Sequence, residues 1–206
     1  MEYKFLNDIA KPWDELNSLL VQRYAFDPDL SDVTRMASAL AVAIKHYPER
    51  VSIDSGMVRD ESPENRLMSD VADASKHGKL DKPARRNSMN VVALFEFDEK
   101  NQFRFLRNAI LINHASEGEF DFMVMALGAM SYWFSKVPLN VKWKGALREV
   151  PSKFYPTAFL YYNPKYCIHM GSTRVKFFKR NSDGVLSACE PPSCRFEVLE
   201  TKKGAI

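Results

Sequence analysis

Arg66, Asp70, Asp73 and His77 are the residues whose types and spacing could do chemistry. At 3.6 residues per turn they fall within an arc of about 60° on one helix face. An aspartate one turn before a histidine can orient its ring as a general acid or base, and an arginine on the same face can hold an anion. The chemistry this set suggests is phosphodiester chemistry, with His77 as acid or base and Asp73 or Asp70 as its orienter. The same side chains also form i,i+4 pairs, Arg66 with Asp70 and Asp73 with His77. On an exposed helix each pair is worth only a few tenths of a kcal/mol, so the face is a candidate binding surface first and an active site second.

A helix must position these residues, and its two ends are marked. Ser62 can accept from the first free amides, Pro63 suits the first helical position, Glu64 complements the positive end, and Gly78 suits the residue beyond the last turn. Leu67, Val71 and Ala74 make an adjoining apolar strip, so the helix buries one strip and displays another. The loop that follows is basic: Lys76, Lys79, Lys82, Arg85 and Arg86 against Asp81 give a formal charge of +4, more than the +3 of the whole chain. Residues 1 to 75 carry 8 basic and 14 acidic side chains, and residues 76 to 206 carry 21 and 12. Clustered Lys and Arg concentrate phosphate-bearing partners and release counterions from nucleic acid. Lys76, Lys79, Lys82, Arg85 and Arg86 are therefore the candidate phosphate-binding residues.

The elements around this helix indicate a single α+β domain over residues 1 to 206. A helical subregion spans 1 to 80, and a sheet-containing subregion spans 87 to 200. About three helices are expected in the first part: one over Asp8 to Ala25 that becomes regular near Pro12, one capped by Ser31, and the Ser62 helix. The connection from Pro48 to Glu61 reads as a loop. Asn90 to Phe97 and Phe103 to Asn113 are rich in β-branched and aromatic residues and flank the turn DEKNQ, which indicates a hairpin. Phe120 to Val137 reads as a buried helix, interrupted by Asp121, Gly128, Ser131 and Ser135 and so unsuited to crossing a membrane. Thr157 to Tyr162, Arg174 to Lys179 and Arg195 to Leu199 are further strands, with a turn at Asn181 to Gly184. Runs of helices and then strands favour a largely antiparallel sheet with one buried helix.

With 46% hydrophobic residues the chain can bury a substantial core. The first residues lack a basic-then-apolar leader, and three cysteines argue against a disulfide scaffold, so a cytoplasmic protein is expected. Cys167, His169, Cys189 and Cys194 are zinc-type ligands, but C-x-H and C-x4-C depart from the close pairs of common zinc sites. No metal and no cofactor is assigned. His114-Ala115-Ser116 has an H-x-S form, yet no second copy accompanies it. Phosphate-binding P-loops, dinucleotide turns, serine-hydrolase elbows and H-E-x-x-H helices are absent from the sequence.

The string DVADASKHGKL, Asp70 to Leu80, resembles a D-[IL]-x-N-x-x-KH segment found in many bacterial and phage-associated proteins. Some of those are similar to the HEPN superfamily of small helical nucleic-acid-associated domains. Asp73 stands where that pattern has asparagine. RNA-cleaving members resemble one another in an arginine a few residues before the histidine, whereas Arg66 lies eleven residues before His77. The resemblance implies a polar patch at Asp70, Lys76 and His77 and an association with conflict between phage and host. Together these readings describe a phosphate-recognising module for RNA or a nucleotide, in phage defence or counter-defence. The alternative is a non-catalytic interaction or assembly protein, in which charge asymmetry serves a protein partner or a second copy of the chain.

Overall fold

A computed structural model describes residues 2–22, 30–78, 80–151, 153–162 and 174–200. Lys79, Cys167 and His169 lie outside the described residues. The chain forms two compact units interleaved in sequence. The first comprises Met1–Asn17, Asp32–Asn90 and Ile110–Leu147, and the second Ser18–Ser31, Val91–Ala109 and Arg148–Ile206. The subregions 1 to 80 and 87 to 200 read from the sequence do not coincide with them, because both units draw on the two strands that follow the basic loop.

The helical part begins with α1 (Glu2–Phe5), a π-wound turn (Leu6–Ala10) and α2 (Lys11–Gln22). The wider turn lies just before Pro12, which has no N–H with which to continue a regular helical ladder. Helix α3 (Leu30–Lys45) buries Val33, Ala37, Leu40, Ala41 and Ile44. The expected loop from Pro48 to Glu61 instead contains two short helices, α4 (Tyr47–Arg50) and α5 (Ser55–Glu61). Asp54 caps α5 by accepting from the Met57 N–H at 2.9 Å. Within α5 only Val58 is buried, too little apolar periodicity to announce a helix in the sequence. Three longer helices are present, joined by short ones, but Ser31 lies inside the first turn of α3 and not at its cap, because the helix already begins at Leu30.

Helix α6 (Pro63–His77) starts and stops where its signals stand. Ser62 Oγ accepts from the Asn65 N–H at 3.2 Å. Gly78 closes the helix with φ +72° and ψ −61°, a backbone that a side chain would strain. Helix α7 (Phe122–Lys136), capped by Asp121, packs against α6, as does α5, whose Glu61 accepts from Tyr132 and Lys136 of α7. The approach of α7 is close: a Cβ on Gly128 would stand 2.9 Å from Glu64 Cγ. The core of the first unit is aromatic, with Phe5 edge-on to Tyr47 and Phe134, and Tyr47 edge-on to Trp133. Its indoles are satisfied, since Trp13 donates to the Met123 carbonyl and Trp133 to Asn65 Oδ1.

The strands are β1 (Asn87–Phe97), β2 (Phe103–His114), β3 (Gly118–Asp121), β4 (Ala158–Tyr162), β5 (Arg174–Arg180), β6 (Leu186–Ala188) and β7 (Phe196–Glu200). Hydrogen bonding orders them β3-β2-β1-β5-β6 in one sheet and β4-β7 in another. The pairing is mostly antiparallel, as expected, but β1 runs parallel to β5 and β4 parallel to β7. Strand direction depends on the long connections between strands, which local patterning does not encode. In the second unit Phe95, Phe97, Phe103, Phe105 and Phe177 fill the core with Ala158 and Leu160. Among the described residues no helix is long and apolar enough to cross a membrane.

Candidate functional site

The charged face of α6 is present, but its members point to different partners. Asp70 is buried, its side chain 5% exposed, and half-buried Asp73 stands one turn on. An unpaired carboxylate in that position would carry a desolvation cost of several kcal/mol. Arg85 removes it by bridging both acids, donating from Nε to Asp70 Oδ1 at 2.6 Å and from a terminal nitrogen to Asp73 Oδ2 at 2.6 Å. Lys45, at the end of α3, donates to Asp73 Oδ1. Arg59, on α5, reaches Asp70 Oδ1 at 3.4 Å. Asn87 adds a bond to the Asp70 carbonyl at 3.0 Å and one to the Arg85 carbonyl at 3.1 Å, tying the start of β1 to the same place.

Burial works to raise the Asp73 pKa, yet the hydrogen bonds from Lys45 and Arg85 outweigh it and hold the carboxyl below its ordinary value. Burial likewise works to lower the Arg85 pKa, and its bonds to Asp73 and Asp70 raise it instead. Both groups are therefore charged at neutral pH. The network pairs both carboxylates with cations rather than forming a poised acid and base.

A histidine does face Asp70, and it is His114 at the end of β2. Its Nε2 lies 3.4 Å from Asp70 Oδ2, with the side chain 2% exposed. That separation is within ionic reach, but the atoms are not aligned as a hydrogen bond, and Nε2 has no other partner among the described residues. Nδ1 accepts from the Glu117 N–H at 3.4 Å and lies 3.3 Å from Ser116 Oγ. A backbone N–H can only donate, so Nδ1 is the acceptor there and the Nε2 edge of the ring faces Asp70. Both side chains are almost wholly buried, which suits this pair to organising the site.

His77 is exposed at the end of α6, where the Asp73 oxygens are already taken up by Lys45 and Arg85. Arg66 turns to Glu117 at 3.3 Å rather than to Asp70. The structure thus brings Asp70 and Asp73 together with Arg85, and leaves Arg66 and His77 outside that set. Of the other basic-loop residues, Lys76, Lys82 and Arg86 are exposed, and Arg86 Nε donates to the Leu80 carbonyl at 3.1 Å. Cys189 and Cys194 are exposed free thiols, and among the described residues no three potential ligands converge as a metal would require.

Lys45, Arg59 and His114 were not singled out as part of the site in the sequence. No local spacing links Lys45 or Arg59 to α6. For His114, the signal was a histidine closing an apolar strand, where a buried imidazole needs a polar partner from elsewhere in the fold. Beside α6 lies a small cleft of about 70 Å³, lined in part by Lys45, Glu49, Ser55, Arg59, Asn65 and Ser69. It is far below the roughly 300–1,000 Å³ of pockets that enclose drug-sized ligands. Comparison with known protein families, curated proteins and solved structures gives no match.

Proposed function

We propose that this protein is a phosphate-recognising module that binds RNA along its backbone, through the exposed end of α6 and the loop after it. One observation carries this reading: Arg85 is spent internally on Asp70 and Asp73, which anchors the loop while Lys76, His77, Lys82 and Arg86 stay exposed around it. Buried carboxylates then act as structural anchors for a cationic surface. His77 contributes a surface contact, since no carboxylate orients it for proton transfer. A setting in conflict between phage and host rests on the resemblance of Asp70 to Leu80 to phage-associated sequences.

The test is the salt dependence of binding to a single-stranded RNA oligonucleotide, followed by fluorescence anisotropy. Each phosphate neutralised on a single strand contributes about −0.7 to the slope of log K against log salt. Replacing Lys76, Lys82 and Arg86 together with alanine should flatten that slope by about 2 with the melting temperature retained. An unchanged slope, or a stable homo-oligomer with no RNA affinity, would overturn the proposal in favour of an assembly protein.

A further inference from the structure

The ion network of α6 has more positive than negative charge. Asp70 and Asp73 supply two carboxylates, while Arg85, Lys45 and Arg59 supply three cations. The three are not equally committed. Arg85 makes two bonds of 2.6 Å, whereas Arg59 touches Asp70 through one nitrogen at 3.4 Å and keeps its other N–H groups free of that carboxylate. Lys45 and Arg59 are the two that line the cleft, and their side chains are 28% and 33% exposed. Partly desolvated cations facing a shared concavity attract an anion more strongly than solvated ones do.

The rest of the lining sets the size and kind of anion. Ser55 brings a hydroxyl to the cleft wall. Ser69 donates its hydroxyl to the Asn65 carbonyl at 3.0 Å, which leaves its oxygen as a wall atom rather than a free donor. The Asn65 amide is committed as well, to Ser62, Ala129 and Trp133. Glu49 opposes an anion, and its Oε1 is held at 2.9 Å by His46 Nδ1. A cleft of about 70 Å³ takes a group of a few heavy atoms.

We propose that this cleft between α3, α4, α5 and α6 binds one tetrahedral oxyanion, a phosphate, with Arg59 as its bidentate partner and Lys45 as its second cation. The residues are distinct from Lys76, Lys82 and Arg86, so this site and the RNA surface can fail independently.

The experiment titrates the full-length protein with inorganic phosphate at constant ionic strength set by chloride, read by calorimetry and thermal shift. Phosphate should raise the melting temperature where chloride does not. Arg59→Gln should weaken phosphate binding by at least about tenfold, the loss of a charge-assisted bidentate pair. Arg59→Lys should recover part of it, and Glu49→Gln should tighten binding by removing the opposing charge. The triple alanine variant of the basic loop should bind phosphate as the parent does. An oligonucleotide with a 5′-phosphate that competes while its 5′-hydroxyl twin does not would identify a nucleic-acid end as the source, and equal behaviour would identify free phosphate. Asp70 keeps Arg85 in Arg59→Gln, so the variant should fold; if it does not, Glu49→Gln carries the test. Phosphate affinity unchanged in Arg59→Gln, no tightening in Glu49→Gln, or stabilisation matched by chloride would overturn the site.

Discussion

Each compact unit buries a carboxylate against arginines, and the two do it differently. In the second unit Glu96 on β1 receives Arg104 from β2 at 2.5 Å and Arg180 from β5 at 3.1 Å, and Glu149 lies within 3.8 Å of Arg104 and 3.4 Å of Arg180. Two acids meet two bases there, and neighbouring strands supply the central three. That is a cross-strand clamp, which steadies register between three strands. In the first unit the acids sit one turn apart on a helix, and their cations come from α3, α5 and the basic loop. There one positive charge remains over, beside a cleft. A buried carboxylate is therefore no sign of function by itself; the balance of its partners and their access to solvent separate a clamp from a candidate site.

Arginine removal should break this comparison most sharply. Arg85→Ala removes the 2.6 Å partner of both α6 carboxylates, leaving Arg59 at 3.4 Å for buried Asp70 and Lys45 for Asp73, and should cost about 3 kcal/mol in urea unfolding. Arg180→Ala leaves Glu96 its bond to Arg104 and should cost only about 1 kcal/mol. Equal losses would mean that the two networks do the same work.

Acid should act on both units. Burial works to raise the Glu96 pKa, but hydrogen bonds from Arg180 and Arg104 lower it, as Lys45 and Arg85 do for Asp73. Carboxyls that bind protons less tightly folded than unfolded add stability that is complete above the ordinary carboxylate range of about 4 and drains as pH falls through their lowered folded values. Unfolding free energies measured from pH 7 down to 2 should show that decline, and Asp73→Asn should remove one part of it and Glu96→Gln another. A parent protein whose stability stays flat across this range would contradict the ion-pair account of both sites.

His77→Ala should have the smallest effect. An exposed side chain outside the network should change stability by no more than about 0.5 kcal/mol. RNA affinity should weaken only slightly, and an RNA cleavage assay should show no turnover for the substitution to abolish. Loss of a measurable cleavage rate in a folded His77→Ala would restore this residue to catalysis and sharpen the contrast between the units.

Much of the frame was legible in the sequence because its cues are local. Ser62 and Gly78 bound α6 through backbone groups within one turn, and the Asp98 to Gln102 turn joins two strands that its flanking alternation announces. The helices α4 and α5 were not legible, since segments of four and seven residues are too short to repeat a helical period, and α5 buries only Val58. The parallel pairings of β1 with β5 and β4 with β7 also lay beyond local reading.

The candidate site divides in the same way. Sequence by itself determined that Asp70, Asp73 and His77 share a helix face, because the helical repeat sets their angular spacing whatever surrounds them. It also determined the excess of cations in the following loop. Only the tertiary structure decided that Arg85 would turn inward, that Lys45 and Arg59 would join it from other helices, and that the histidine facing Asp70 would be His114 and not His77. The physical reason is burial: once packing removes Asp70 from water, its charge must be met by whatever cations the fold brings within reach, and Arg59 and Arg85 lie 11 and 15 residues away on other elements.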